Sequence, residues 1–410
     1  MLYHRYGECM TSAQALDIEN LDFAFDDQPD LHAVLARLRA RKPYAIVRFA
    51  GVPAVLLLTD ELVRAAFRDE ATFPAAAVYA MTTEPVFGRT VLSMSGAEHR
   101  ANRVMVSAPF RRNRDQEYVQ PVIEPVIDEL IDRFIDRGTA DLVAEFTHRY
   151  SLLIISRLLG IPVDDEAKIH CWAQAMIHYP FEPDWATRSS REFTEYVAPL
   201  LAARRREPSD DMISMLVTAS TEDGQTLTEE QIHTFLRMLF PLGADTTMLA
   251  LGNTLSALLN HPEQLDLLRS DLEQYVQPAV WEGLRWDPAV GMLPRACPDA
   301  TTWHGIEIPA LTPVIFAINA AHRDPAVYDR PDEFDITRNV MPTLSFGQGP
   351  HSCIGNWLAN SELVAALRLL MRRLPDLALD PAQAHTSTIK SQVGTTLRGP
   401  NALHVTFTPG

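Results

Sequence analysis

A short run near the C-terminal end, 346–355, places a single cysteine among glycines and a histidine. The apolar residues after it recur at helical spacing, so Cys353 should lie just ahead of a helix N-terminus. There the helix dipole and unpaired backbone N–H groups favour a thiolate over a thiol. Gly347 and Gly349 would let the loop lie flat under a large planar ligand, and His351 would reach an anionic edge of that ligand.

A second segment places an acid and an alcohol side by side, Asp245 and Thr246, inside an apolar helical stretch. A buried carboxylate is costly unless it is paired or has a task. A mid-helix threonine commonly bonds the carbonyl four residues back, which can bend or open the helix. The pair predicts a proton relay. The structural alternative is a helix N-cap at Asp245 after the break 241–243.

For Cys353 taken alone, a buried thiol in a glycine-rich turn is the alternative, because free cysteine is among the most buried residue types. However, the run resembles the haem-ligand loop of the cytochromes P450, Phe-Gly-x-Gly-x-His-x-Cys-x-Gly, at every specified position. That resemblance implies a b-type haem with Cys353 as its axial metal ligand. It also places Phe346, Gly347 and Gly349 in the loop that holds the haem.

The acid–alcohol segment is similar to the P450 long-helix motif (Ala/Gly)-Gly-x-(Asp/Glu)-Thr, with Gly243, Asp245 and Thr246 at matching positions. By this resemblance the Thr246 hydroxyl holds dioxygen and its water, and Asp245 connects them to solvent. One position departs from the motif, because Leu242 stands where the family has a small residue. We expect Pro241 to kink the helix and Leu242 to crowd the space over the haem.

Buried haem propionates need cationic or hydrogen-bonding partners. Three sites match the family's partners. His99 and Arg103 stand four apart on one helix face, Arg295 precedes a predicted strand, and His351 lies in the cysteine loop. Spacing alone equally allows His99 to be an ordinary surface histidine.

Glu282 and Arg285, three apart on a predicted helix, resemble the P450 Glu-x-x-Arg pair. Arg338 is expected to be the third member of this group. We interpret these residues as structural: they would hold together the core on the cysteine-loop side of the haem. We assign them no chemical role.

The elements that must position these residues form a mainly α fold with small β-sheets (α+β). Sequence patterns predict a helix over 31–41, strands over 44–49 and 54–58, and a mostly helical body over about 61–293. Strands return only after Pro294, at 302–304, 313–318 and 403–407, and a helix spans 354–373. The P450 fold implied by the resemblance is one domain, 1–410, with β-rich parts at about 42–60, 294–320 and 385–408. Its haem lies between the long oxygen-side helix and the cysteine-loop helix.

A net charge of −17 argues against nucleic acid as a partner and against docking on anionic membrane through bulk charge. The four cysteines, Cys9, Cys171, Cys297 and Cys353, are scattered as in proteins of a reducing compartment. Residues 1–8 are polar and charged, unlike a signal peptide, and no apolar run is long enough for a membrane anchor. We expect a cytoplasmic protein.

The resemblance implies that the protein is a haem-thiolate monooxygenase, which inserts one oxygen atom of O2 into a lipophilic small molecule. The sequence has no flavin or nicotinamide fingerprint and no iron–sulfur cysteine cluster. We therefore expect electrons from a separate ferredoxin-type partner, docked on the arginines near Arg111. A haem-thiolate peroxygenase, an isomerase or dehydratase, and a non-catalytic haem-binding sensor are the alternatives. The pair Asp245 and Thr246 favours the monooxygenase, because such enzymes need protons to cleave dioxygen.

Family topology also predicts which residues line the substrate pocket, although core packing is the alternative for each one. Arg89 could meet a substrate carboxylate or face solvent. The apolar and aromatic candidates are Tyr79, Met81, Val86, Phe87, Met238, Leu242, Met292 and Leu293.

Overall fold

The computed structural model describes residues 16–220, 224–340, 343–383, 385 and 389–410; the segment 1–8 and Cys9 lie outside them. The α-helices are α1 (Leu31–Arg39), α2 (Asp60–Arg68), α3 (Ala75–Thr82), α4 (Glu84–Phe87), α5 (Gly96–Val106), α6 (Arg112–Tyr118), α7 (Glu124–Asp132), α8 (His148–Leu159), α9 (Glu166–Ile177), α10 (Pro183–Arg206), α11 (Met212–Thr218), α12 (Glu229–Asn260), α13 (Pro262–Ser270), α14 (Leu272–Trp286), α15 (Ile318–Ala321) and α16 (Asn356–Arg373). The strands are β1 (Tyr44–Phe49), β2 (Val52–Leu57), β3 (Thr139–Asp141), β4 (Met292–Cys297), β5 (Thr301–Trp303), β6 (Ile306–Ile308), β7 (Thr312–Ala317), β8 (Ala378–Leu379), β9 (Ile389–Val393), β10 (Leu397–Pro400) and β11 (His404–Thr406).

The helical body surrounds α12, which packs against α8, α14 and α16 in the largest hydrophobic core. A capping box starts α12, since Thr228 accepts from the Gln231 backbone and Gln231 reaches back to the Thr228 backbone. The helix continues across Pro241 and ends at Asn260, before the His261-Pro262 dipeptide. Because Asp245 lies inside this continuous helix, the N-cap alternative is wrong.

The largest sheet has the strand order β1-β2-β7-β4. β1 and β2 form an antiparallel hairpin, whereas β2 and β7 pair in parallel although most of the chain separates them. This sheet joins the N-terminal part of the chain to the segment before the cysteine loop. Both of its faces carry buried side chains, which form two smaller hydrophobic clusters.

The prediction that strands return only after Pro294 is wrong at two places. β3 lies inside the predicted helical body and pairs with β11, and β4 already begins at Met292. A three-residue strand is too short to show a period in sequence, and β3 forms because the tertiary fold brings β11 beside it. Arg295 therefore lies within β4 and not before it.

Glu282 and Arg285 form a fully buried ion pair in α14, with a closest N–O distance of 2.7 Å. The Arg338 Nε lies 3.5 Å from the Glu282 carboxylate, which also accepts from the Asp335 backbone N–H at 2.9 Å. The Arg285 guanidinium donates to the backbone carbonyls of His322, Pro331 and Glu333. The pair thus holds the segment before the cysteine loop, in agreement with the predicted structural role.

None of the helices in the described part of the chain combines the length and the apolar character that crossing a bilayer requires.

Candidate functional site

A cavity of about 290 Å³ lies between α12 and the loop that precedes α16. The loop contributes Cys353 to its wall and α12 contributes Thr246. Most of the remaining wall is apolar, with Val91, Met238, Val290, Leu293 and Leu358 as examples. The two segments singled out in the sequence therefore face one common space.

The cysteine loop closes on itself just ahead of α16. The Cys353 N–H donates to the Phe346 carbonyl at 2.8 Å, and the Ser352 N–H donates to the Gly349 carbonyl at 3.1 Å. α16 begins at Asn356, so the predicted place of Cys353 before a helix is confirmed. The sulfur atom is accessible from the cavity.

Burial opposes the thiolate form that the sequence predicts for Cys353. Burial raises the pKa of the Cys353 thiol, although a hydrogen bond from the Gly355 backbone and the charge of Arg103 act in the opposite direction. Desolvation outweighs the helix N-terminus here, because the thiolate would lose its hydration. A bound metal ion reverses this balance, since coordination deprotonates a thiol.

Glycines are required where the loop passes α2. Gly349 has φ +74°, and a Cβ added there would lie 2.4 Å from the Phe67 carbonyl oxygen. Gly347 has φ +64° and lies against the Phe67 ring. The two glycines therefore let the loop backbone pass close to α2.

In α12 the Thr246 hydroxyl donates to the Leu242 carbonyl at 3.1 Å, which confirms the predicted back-bond. Asp245 precedes it in α12 but does not itself line the cavity. Burial raises the pKa of Asp245 to about 6, and the charge of His178 lowers it by less. Asp245 can therefore hold or release a proton near neutral pH.

Two hydroxyl groups of α8 also bond to this turn of α12. Ser151 donates to the Ala244 carbonyl at 2.5 Å, and Tyr150 donates to the Thr247 carbonyl at 3.1 Å. The carbonyls on either side of Asp245 and Thr246, those of Ala244 and Thr247, thus accept hydrogen bonds from side chains in addition to their place in the helix backbone. Both donors lie far from α12 in sequence, and no local pattern indicated them.

Two arginines reach the cavity wall from different elements. Arg103 on α5 donates to the Ser352 carbonyl at 2.5 Å. Arg295 is only 5% exposed and lies between the rings of Tyr79 and Phe316, at 5.1 and 5.8 Å from their centroids. Among the described residues neither forms an ion pair with a carboxylate. The cavity therefore has two cationic groups without a counter-charge.

The rings of His99 and His351 are in contact, with their centroids 4.3 Å apart and their planes tilted by 39°. His99 is 4% exposed, so the surface-histidine alternative is wrong. Burial and the nearby charges of His351 and Arg103 lower the pKa of His99 to about 4, and its Nε2 has no hydrogen-bond partner in the described part of the chain. His351 lines the cavity, but its Nε2 lies 3.2 Å from the Glu70 carboxylate and not at a free edge.

These residues fit the haem that the sequence resemblance implies. The cysteine loop, with one accessible sulfur, bounds the cavity on one side. The guanidinium groups of Arg103 and Arg295 in the cavity wall, and the unpartnered nitrogen of His99 next to His351, would offer partners to the two carboxylates of that group. Buried donors and cations without a counter-charge indicate an anionic ligand, because burial of such groups is otherwise costly.

Sequence reasoning missed Glu362, which lines the cavity from α16. Burial raises the pKa of Glu362 well above its usual range, and its Oε2 has no partner among the described residues. The available signal was its spacing, four residues after Leu358 and one before Leu363, on the apolar face of the helix.

The pocket predictions hold in part. The lining includes Tyr79, Met238, Leu242 and Leu293. Val86, Phe87 and Met292 are buried outside it, as core packing predicts, because adjacent residues on a helix or strand face different sides. Arg89 is half-exposed and pairs with Glu98, so it faces solvent.

A family model described as Cytochrome P450 matches residues 23–403 of the chain. The chain is similar to the putative cytochrome P450 133B1 of Xylella fastidiosa (strain 9a5c), with 36% identity over 327 residues, which cover 78% of this chain and 79% of that protein. It is also similar to the cytochrome P450 monooxygenase PikC of Streptomyces venezuelae, with 32% identity over 388 residues, 90% of this chain and 89% of that protein.

Among solved structures, the cytochrome P450 PksS of the bacillaene polyketide synthase of Bacillus subtilis 168 is similar, with a TM-score of 0.84 and 28% identity. The match covers 92% of this chain and 97% of that one.

Proposed function

Because this chain belongs to the cytochrome P450 family, we propose that it inserts one oxygen atom of O2 into a lipophilic small molecule, with electrons from a separate ferredoxin-type protein. The enzyme class is that of its relatives: it is a monooxygenase, an oxidoreductase that uses haem iron. Our proposal concerns the haem type, the site residues, the substrate class and the electron donor.

The observation that carries the proposal is the shared cavity of Cys353 and Thr246. A ligand held by Cys353 would lie in the same cavity as Thr246 and the mostly apolar wall, with Asp245 adjacent to Thr246 in α12. The apolar wall would keep water away from the reacting centre, and Asp245 with Thr246 would supply protons.

We assign the haem to type b, because Cys353 is not part of a C-x-x-C-H attachment motif. Cys353 would supply the thiolate ligand of the iron, and Arg103, Arg295, His99 and His351 would hold the propionates. When bound, the haem supplies the redox chemistry that activates O2, with its potential and reactivity set by the thiolate.

The chain's own contribution to the reaction is proton delivery and orientation. Asp245, with its raised pKa, can pass a proton towards the cavity, and the Thr246 hydroxyl can orient the group that receives it. Leu242 and Leu293 exclude water and position an apolar substrate.

The visible spectrum of the reduced, carbon-monoxide-treated protein tests the proposal, compared with a Cys353→His variant. We expect a strongly red-shifted Soret band in the parent that the variant lacks. A parent spectrum like that of an imidazole-ligated globin would contradict the assignment of Cys353. Turnover with reductant and O2, but not with peroxide alone, would separate the monooxygenase from the peroxygenase.

A further inference from the structure

The side chain of Arg237 joins α12 to two other elements. Its Nε donates to the Phe87 carbonyl at the end of α4 over 2.9 Å, and its Nη1 donates to the Thr194 hydroxyl of α10 over 3.1 Å. Its Nη2 donates to the Glu230 carboxylate over 2.7 Å, seven residues earlier in α12. The side chain is only 11% exposed although it carries a charge. These bonds therefore replace the hydration that the guanidinium loses on burial.

The carbonyl groups at the end of α4 need partners from outside, because the last carbonyls of a helix have none within it. Ser190 of α10 donates to the Val86 carbonyl over 2.6 Å. The Phe87 carbonyl beside it is the one that Arg237 binds. The two donors are themselves connected, since Thr194 donates to the Ser190 carbonyl over 2.7 Å and accepts from Arg237. We call Ser190, Thr194 and Arg237 the Arg237 clamp.

α4 lies in the chain between two stretches that line the cavity. Tyr79 of α3 precedes it, and Val91 and Leu92 follow it. Val86 and Phe87 do not line the cavity and are buried in the core, 3% and 1% exposed. α4 is thus the link between the two lining stretches, and a clamp on α4 determines where they stand.

The clamp also supports α12 where its backbone lacks a hydrogen bond. Pro241 has no N–H to donate to the Arg237 carbonyl four residues back. Met238, which follows Arg237 directly, lines the cavity within this turn. Beyond the proline, α12 is held by the two hydroxyls of α8. Before it, the Arg237 side chain performs the same task by tying α12 to α4 and α10.

We propose that the Arg237 clamp is a specificity-determining device, which holds the wall from Tyr79 to Leu92 in register with Met238 and so lets the cavity grip a bulky apolar ligand. Arg237 does not line the cavity, and its part is that of a positioning residue. The inference rests on the proposed function, which places a lipophilic substrate in this cavity. A small ligand that touches little of the wall would gain nothing from the clamp.

Geometry rather than charge makes Arg237 suited to this task. The planar guanidinium presents its donors in a fixed fork, so that one side chain can bond a carbonyl and a hydroxyl from two elements at once. Its carboxylate partner Glu230 is 74% exposed, and an ion pair at such a site adds little. A lysine would keep the charge but not the fork, so substitution can separate the two properties.

The experiment compares two azole probes that bind haem iron, imidazole and the bulkier 4-phenylimidazole, by titration of the Soret band of the haem-loaded enzyme. The variants are Arg237→Met, Arg237→Lys and Ser190→Ala, of which the last is the mildest change. Arg269→Met is the matched control. Arg269 also donates to a backbone carbonyl, that of Leu377, and pairs with an exposed carboxylate of its own helix, Asp266, but it does not line the cavity.

The second readout is amide hydrogen exchange of residues 83–92, which needs no ligand. We expect Arg237→Met to speed this exchange and to lower the ratio of 4-phenylimidazole affinity to imidazole affinity about tenfold, the scale of one lost hydrogen bond from a charged group. Arg237→Lys should resemble Arg237→Met, because the fork is lost in both. Ser190→Ala should move both readouts in the same direction by less. Arg269→Met should match the parent in both.

Probe affinities and exchange rates of Arg237→Met equal to those of Arg269→Met would overturn the clamp. Faster exchange with an unchanged affinity ratio would show a purely structural contact and would overturn the role in specificity. A parent whose Soret band responded to neither probe would contradict the haem of the proposed function and with it the role in specificity. The exchange rates would then still decide whether the clamp holds residues 83–92.

Discussion

The phenolic hydroxyl of Tyr150 donates to the carbonyl oxygen of Thr247 over 3.1 Å, linking α8 to the turn of α12 that carries Asp245 and Thr246. Beside it, Ser151 donates to the Ala244 carbonyl. A backbone carbonyl oxygen has two lone pairs, so it can accept from a side chain as well as from the amide four residues on. The two hydroxyls therefore hold residues 244–247, the relay turn of the proposed mechanism, in one conformation.

Removal of both donors, Tyr150→Phe with Ser151→Ala, should loosen the relay turn and let protons reach the cavity at the wrong time. We expect a smaller share of the reducing equivalents to appear in product and a larger share in released peroxide. The lost buried hydrogen bonds should cost about 1–2 kcal/mol each in the free energy of unfolding. Product and peroxide are measured per equivalent of reductant consumed.

Tyr196→Phe is the matched control, because the Tyr196 hydroxyl also donates to a backbone carbonyl, that of Pro162, but at an exposed site away from α12. Equal coupling in the control and the double variant would show that the two α8 hydroxyls have no part in proton delivery.

Asp245→Asn should lower coupled turnover by about 10²-fold, because the amide cannot exchange a proton. The pKa of Asp245 is raised to about 6, so the parent's pH–rate profile should have an inflection near that value. The variant should lack it. Turnover rates of haem-loaded parent and variant, measured at pH values on both sides of 6, check the loss of activity and the loss of the inflection. An unchanged inflection in the variant would mean that a group other than Asp245 titrates there.

The same raised pKa predicts how Asp245 affects stability. Between the usual aspartate value of 3.8 and about 6, the folded state binds the proton more tightly than the unfolded state does. Stability contributed by this group therefore falls as pH rises through that range and is constant above it. We expect Asp245→Asn to gain stability relative to the parent across this range, as measured by denaturant unfolding on both sides of it. A pH-independent difference would contradict the raised pKa.

Glu282→Gln should destabilise the protein by about 3–5 kcal/mol, because it leaves the Arg285 guanidinium buried without its counter-charge. The chain offers a control of the same i, i+3 spacing in the exposed pair Arg330 and Glu333. Glu333→Gln should change stability by no more than about 0.5 kcal/mol. Chemical unfolding and haem content are measured on both. Similar losses of unfolding free energy in the two variants would mean that burial does not determine how much the Glu282–Arg285 pair stabilises the protein.

Gly349→Ala should disrupt the cysteine loop and reduce haem retention, because the new Cβ would lie 2.4 Å from the Phe67 carbonyl at a positive φ. Gly305→Ala separates the effect of the positive φ from that of the contact with Phe67. Gly305 has a similar φ of +76°, but no atom lies within 4 Å of the added Cβ. The control should show only the conformational cost, about 1 kcal/mol. Haem content and unfolding midpoints that match in the two variants would rule out the contact with Phe67 as the reason for the glycine.

Local sequence patterns were sufficient to predict relationships between residues that lie close together in the chain. Cys353 precedes a helix because the apolar spacing after it defines that helix, and Thr246 bonds the carbonyl four residues back because both lie on one helix. Glu282 and Arg285 meet for the same reason. Each relationship spans a few residues, and helical geometry alone brings the groups together.

The sequence by itself therefore determined the family and the balance of helix and sheet, and it predicted Cys353 as the metal ligand and Asp245 with Thr246 as the proton relay. Only the tertiary structure decided which partners reach them from afar: Tyr150 and Ser151 behind the relay turn, and Glu362 in the cavity wall. It also revealed that burial opposes the thiolate form of Cys353, since desolvation depends on what the whole chain packs around the sulfur. Periodicity fixes a residue's face on its own element, but its neighbours and its hydration follow from how the elements pack together.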